Sequence, residues 1–331
     1  MSETLRRCFV CAADMLEPSV RHLTFPDGRC RTFPLACASC GVLLAQDADQ
    51  AACREHLAGR LAASAFVSDP DAPYGLDIYT LRTAATRRNL GIRPLDAAGH
   101  AALRQPHDRH AARADLFALD GAARRPVSLG LLCRPAEQAA VLASLPEQAG
   151  WTDDVTILLD GPARPPRAVP VAAFPDGAVR VAARPLAGDF AAQRNALQDL
   201  ARRAWMLQLD ADEAIEPATG HLLPALAALA EAGDAVSVGL ARANWVDGVQ
   251  SDVFPDVQYR FNPACTRFAG RVHERPVLDG GWPRGFITLH GAITHRLSAD
   301  RVRARSRRYE ALDPGRGRLE EEAALLRPYA D

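Results

Sequence analysis

Two groups of side chains in this sequence have the types and spacing to do chemistry. The first is Asp210-Ala211-Asp212-Glu213, which follows the short apolar run Trp205–Leu209. Side chains alternate along a strand, so a strand over 205–209 aims both aspartates to the same side of its carboxyl end. Two carboxylates aimed one way supply the hard oxygen ligands that magnesium or manganese takes. The second group is Cys8-x-x-Cys11 and Cys37-x-x-Cys40, two pairs separated by 25 residues rich in turn formers. Each Cys-x-x-Cys turn presents two thiolates to one ion, and two such turns complete a tetrahedron around zinc. Four cysteines leave no open coordination position, so the expected role is structural, with Cys30, Cys53 and His56 as spare ligands.

The acids need elements to place them. Phe190, Leu197, Leu200 and Ala204 recur at helical spacing behind Asp189 as N-cap, which predicts a helix over 190–204 feeding the strand that ends at Asp210. From Pro126 onward strands and helices alternate. Val127–Cys133 reads as a strand, Ala136–Leu145 as a helix, Val155–Leu159 as a strand ending at Asp160, and Val179–Ala182 as a third strand. After the acids, 219–232 reads as a helix and Ala235–Leu240 as a strand. Such alternation implies parallel pairing with right-handed crossovers, an α/β fold with a doubly wound, mostly parallel, Rossmann-like sheet. Ligands of such sheets sit outside the carboxyl ends of the strands, where Asp160, Asp210 and Asp212 converge. Gln258–Asn262, Thr266–Val272 and Phe286–Thr294 read as short strands walling one side of that crevice. Arg301–Leu312 and Arg318–Leu326 read as closing helices.

This divides the chain into a zinc-ribbon-like module (1–56), a partly helical connector (57–125) with a weakly patterned helix over 97–116 that carries His100, His107 and His110, the α/β domain (126–300), and C-terminal helices (301–331). At 331 residues and 48% hydrophobic content, the chain can bury a substantial core. A net charge of −1 offers no footprint for nucleic acid or an anionic membrane. Every basic side chain apart from histidine is arginine, which reads as GC-rich bacterial coding and excludes lysine-based mechanisms. No apolar stretch approaches the roughly 20 residues of a membrane span, and the first seven residues lack a signal peptide's apolar core, so a cytoplasmic protein with reduced cysteines is expected.

The run Asp189-Phe190-Ala191-x-x-Arg194-Asn195, the apolar strand and Asp210-x-Asp212-Glu213 together resemble family 2 glycosyltransferases, the inverting group with a GT-A fold. Arg267-Phe268-x-Gly270-x-Val272-His273-Glu274 and the later His295 resemble that family's downstream signatures in the same order, and the likeness covers about residues 126–312. The resemblance implies a metal-dependent transfer of a sugar from a nucleotide diphosphate sugar to an acceptor, whether peptide, natural product or glycan. It implies that Asp212 binds manganese or magnesium, that Asp210 binds the metal or the ribose, and that His295 completes the metal shell. It also places Asp160 at the nucleoside and Arg194 near the diphosphate. An inverting transfer needs a base, for which Glu274 is the first candidate and Glu213 the second, while His273 orients the base or touches the donor sugar.

Two departures from the family pattern stand out. Cys133-Arg134-Pro135-Ala136-Glu137 replaces the usual Asn-Glu after the first strand, and Asp160-Gly161-Pro162-Ala163-Arg164 lacks the second acid after the next. They leave room for a different class, a nucleotide-sugar-binding scaffold without turnover whose zinc ribbon recruits a partner, and more weakly for a nucleotidyltransferase sharing the acid pair.

Overall fold

The computed structural model describes residues 7–317 and 319–330. The expected start of the last helix at Arg318, and the first six residues read for a signal peptide, lie outside them. Val127–Cys133, Val155–Asp160, Val179–Arg184 and Trp205–Asp210 are mutually parallel, in the spatial order 179–184, 155–160, 127–133, 205–210. Beyond Trp205–Asp210 the sheet turns mixed. Gln258–Pro263 pairs antiparallel with it, followed by Ser237–Val246, Gly285–Leu297 and the short Glu213–Ile215. Arg164–Ala168 closes the opposite edge.

The parallel strands are buried on both faces, as continuous Val, Leu and Ile runs require. Odd-numbered residues such as Leu129, Ile157 and Leu207 pack with Val141 and Leu145 and with Leu222, Leu223 and Leu226 of the helix Pro217–Ala232. Even-numbered Leu132, Leu158 and Met206 pack with Leu197 of the helix Phe190–Gln198 on the other face. That helix lies very close to the sheet, because a Cβ on Gly130 would meet Leu197 at 2.8 Å and the Met206 sulfur at 2.9 Å. It stops at Gln198, short of the expected 204, and a turn carries the chain into the next strand. The strand expected over 266–272 is only Arg267–Ala269, hairpinned to Arg275–Val277.

Residues 7–125 build a core of their own. Leu16–Pro18, Leu35–Cys37, Leu43–Leu44 and Tyr74–Gly75 form one small sheet, and Ala65–Val67, Arg113–Ala118 and Leu90–Pro94 another. Helices Gln50–Arg60, Ile78–Thr86 and Ala97–Ala102 contribute Leu57, Leu81 and Ala102 to the apolar cluster of this unit. The segment expected as a connector is therefore well structured, and its Leu76, Leu81, Ile92 and Leu116 share one apolar cluster with the four cysteines. The helix expected over 97–116 ends at Ala102, and its second half is the strand Arg113–Ala118. Period-two burial of Ala114 and Leu116 overrides a weak helical pattern. This unit docks on the large sheet through Ile78–Thr86, where Thr86 Oγ1 accepts from Leu289 N at 2.8 Å. Asp252 clamps a second contact, holding buried Arg7 at 2.5 Å and Arg327 at 2.6 Å. Among the described residues no helix is long and apolar enough to cross a membrane.

Candidate active site and metal centre

Where the parallel strands end, a cleft of about 330 Å³ opens, lined by four acids and four arginines. Strand order reverses between Val127–Cys133 and Trp205–Asp210, the switch point where open α/β sheets bind ligands. Glu137, Asp160, Asp210 and Asp212 are the acids. Arg134 comes from the loop after the first strand, and Arg301, Arg305 and Arg308 from the helix Ala299–Leu312. Their spacing of four and three residues puts these three on one helical face, a pattern visible in the sequence itself. The helix is pinned by Val302, fully buried against Val246, Leu297 and Leu325.

Asp210 is tied down from two sides. Arg194 reaches both its oxygens through Nη2 at 3.0 and 3.2 Å, and Arg260 reaches Oδ2 at 3.0 Å. Burial alone would raise this carboxyl, but the two guanidinium groups outweigh it and hold the group well below the usual carboxylate range. Arg194 also grips Glu274 through Nε, so one buried side chain joins the Asp-x-Asp strand to the Val-His-Glu loop. Its neighbour Asn195 does the same work one residue on, accepting from Phe268 N at 2.7 Å and donating to Phe268 O at 3.0 Å. The loop itself turns through Gly270 (φ 102°) and His273 (φ 50°), and the His273 ring stands edge-on to Tyr309 at 5.2 Å.

Asp212 faces His295, whose Nε2 lies 3.2 Å from its Oδ2, and Arg301 approaches the same oxygen at 2.8 Å. Burial raises the Asp212 carboxyl, and the bond and charge of His295 more than reverse that. His295 is itself fixed: its Nδ1 lies 2.7 Å from Asn244 Oδ1, while Asn244 Nδ2 donates to Val253 O and Asp256 Oδ2. With the amide oriented by those acceptors, Nδ1 donates to Asn244 Oδ1 and Nε2 is left facing Asp212. His290, the other histidine on the strand Gly285–Leu297, lies near Ala218 O instead. Asp160 lines the cleft and accepts from Leu186 N at 2.9 Å.

Glu274, Arg194 and His273 stand behind the cleft lining, and so does Glu213. Its side chain is fully buried, bonded to Arg242 at 2.9 Å and to Arg260, and it accepts from Asp210 N at 3.1 Å. Arg242 in turn holds Asp256 at 2.6 Å. Sequence reading missed Arg242, Asn244, Asp256 and Arg260, which meet only because Gln258–Pro263 and Ser237–Val246 lie side by side.

Cys8, Cys11, Cys37 and Cys40 do converge, with all four sulfurs within 4.8 Å of one another and buried. Cys8 and Cys40 are 3.6 Å apart, as are Cys11 and Cys37. A tetrahedron with ~2.3 Å metal–sulfur bonds has edges of roughly 3.8 Å, so the group can hold a metal ion such as zinc. The two turns match. Cys8 N donates to Ala13 O and its carbonyl accepts from Ala12 N, while Cys37 N donates to Val42 O and its carbonyl accepts from Gly41 N. Ala12 (φ 63°) and Gly41 (φ 87°) take the left-handed corner in each. Burial pushes the Cys8 and Cys40 thiols up, while hydrogen bonds led by Cys11 pull Cys37 down, a competition that a divalent cation settles by taking thiolates. Cys30 is exposed and Cys53 buried, both outside this group, and His56 bonds Tyr74 Oη.

No protein-family model and no curated protein matches the chain. Among solved structures, the crystal structure of S. aureus TarS matches with a TM-score of 0.33 at 10% identity, over 60% of this chain and 42% of that chain. A likeness of that size assigns no activity.

Proposed function

We infer that the cleft transfers a sugar from a nucleotide diphosphate sugar to an acceptor. The observation that supports this reading best is the mixed charge of one cleft, with Asp160, Asp210 and Asp212 at strand ends and Arg301, Arg305 and Arg308 along the facing helix. A diphosphate needs both signs around it. Guanidinium groups match phosphate oxygens in bidentate geometry, and carboxylates hold a cation that bridges them.

Asp212 and His295 fit a divalent cation. With Nδ1 committed to Asn244, Nε2 is the atom His295 would offer, in place of the proton it shares with Asp212, to a cation held between the two side chains. In this reading magnesium or manganese, when bound, supplies Lewis-acid stabilisation of the departing diphosphate. The chain's own residues do the rest. Asp160 holds the nucleoside end and the arginine face neutralises phosphate charge. Arg194, locked to Asp210, orients Glu274 as the base that takes the acceptor proton, with His273 beside it. Glu213, sealed between Arg242 and Arg260, serves as a positioning residue that fixes Asp210 through its backbone N–H. The cysteine group is structural, and the acceptor is a peptide, natural product or glycan.

The test is donor turnover by the full chain over a panel of nucleotide sugars with manganese, magnesium or chelator, alongside Asp212→Ala. Metal-dependent release of a nucleoside diphosphate from one donor, lost in the variant, supports the reading. Absence of donor turnover and of donor binding across the panel, with candidate acceptors present, overturns it in favour of a scaffold.

A further inference from the structure

We propose that a second cavity, of about 600 Å³ between the N-terminal unit and the helix Pro217–Ala232, binds a carboxylate carried on an apolar body, of the class of a medium-chain fatty acid. Its walls are apolar, led by Ile92, Leu103, Phe117 and Leu229, and among the described residues no acidic side chain lines it. Its polar lining is basic. Arg93 and His100 are exposed, and Arg82 is buried.

Arg82 is the anomaly that the cavity explains. It is 1% exposed, yet Nε and Nη1 have no hydrogen-bond partner, and Nη2 makes only a long bond to Leu103 O at 3.4 Å. No described carboxylate forms an ion pair with it. The guanidinium instead rests over the rings of Phe286 at 4.4 Å and Tyr79 at 5.0 Å. Burial pulls its pKa down to about 10, the sign of a cation short of compensation. Buried charges are ordinarily paired, and buried N–H donors ordinarily bonded.

A second observation concerns access. Gly233 ends the helix at φ −93°, a conformation open to any residue, so its backbone does not demand glycine. A Cβ there would stand 3.1 Å from Arg82 Nη1 and 3.6 Å from Leu103. The missing side chain lets the guanidinium lie against the helix end, where both residues line the cavity. One buried positive charge matches one negative charge, and the planar fork matches a carboxylate's two oxygens. A dianionic phosphate monoester would leave charge uncompensated in an apolar site. The cavity lies within the 300–1,000 Å³ typical of small-molecule sites, ~600 Å³ being ample for an eight-carbon chain.

The experiment is calorimetric titration and thermal melting of the full chain with octanoate, octanol and octyl phosphate. Octanoate is expected to bind one to one and raise Tm, with octanol and octyl phosphate each at least 10-fold weaker. Arg82→Met should lose at least 10-fold in octanoate affinity while melting no lower than the parent, because an unpaired buried charge is gone. Ala228→Phe, which narrows the cavity and leaves Arg82 in place, should abolish binding of octanoate, and it decides the matter if Arg82→Met fails to fold. No octanoate binding at millimolar concentration, equal binding of octanol, tighter binding of octyl phosphate, or unchanged binding in Ala228→Phe overturns the proposal. None of these readouts depends on sugar transfer.

Discussion

Arg194 and Glu274 are 80 residues apart in sequence and joined by a direct ion pair, with Arg194 2% and Glu274 9% exposed at the side chain. Because Nη2 of the same guanidinium holds Asp210, the pair sets the distance between the strand acids and the loop that carries the inferred base. Arg194→Met leaves the Glu274 carboxylate without its cation and Asp210 with Arg260 alone. Removing one partner of a buried pair costs about 3–5 kcal/mol, so a large drop in the denaturation midpoint is expected. Arg267→Ala, which breaks the exposed pair with Asp199, is the control and should cost less than about 1 kcal/mol. Equal losses from both would refute a structural role for the Arg194 bridge.

Removing metal from the cysteine group should unfold the N-terminal unit while sparing the large sheet. Structural zinc in small modules carries about 10–16 kcal/mol of apparent binding energy that doubles as folding energy. Bound zinc near one equivalent per chain, lost on Cys37→Ser together with hydrogen-exchange protection in residues 8–57, is the expected result. Protection that survives the substitution would mean the apolar cluster around Phe9, Val42 and Leu57 folds by itself.

Acid should act through Asp256. Burial would raise its carboxyl, but Arg242 and Asn244 bring it to about 2. A depressed folded pKa contributes stability that is complete above the unfolded value of ~3.9 and is lost as pH falls through about 2. The difference is worth roughly 2–3 kcal/mol. Asp256→Asn should therefore lower stability at pH 6 and flatten the fall between pH 4 and pH 2, read by urea denaturation across that range.

Asn244 should matter for metal without touching it. It is fully buried and dictates which nitrogen of His295 faces Asp212. Loss of such an outer partner typically costs 10–100-fold in metal affinity. Asn244→Ala should weaken manganese binding by that factor, measured by the free-ion paramagnetic signal, with the circular dichroism spectrum retained. Unchanged affinity would show that His295 needs no such support.

Much of this protein is legible in its residues taken in order. The parallel strands announce themselves as apolar runs ending in Asp160 and Asp210, because burial on both faces leaves no room for polar alternation. The cysteine knuckles are equally local, since a Cys-x-x-Cys turn needs only its own few residues to aim two sulfurs one way. The Arg301, Arg305 and Arg308 stripe belongs to the same category.

Other features exist only once the chain is folded. Residues 57–125 gave weak patterns because their short strands pair across large separations, Ala65–Val67 with Arg113–Ala118 for instance, and share a core with residues far upstream. Nothing in sequence spacing brings Arg242 and Arg260 onto Glu213, or sets Asn244 between Asp256 and His295; strand order does that. Nor does any local signal mark Arg82 as a buried cation with no carboxylate partner among the described residues, since that depends on which acids the fold places elsewhere. Periodicity and ligand spacing are properties of neighbours along the chain. Charge compensation is a property of neighbours in space, so tertiary structure alone decides which carboxylate is held, which is sealed away and which faces a ligand.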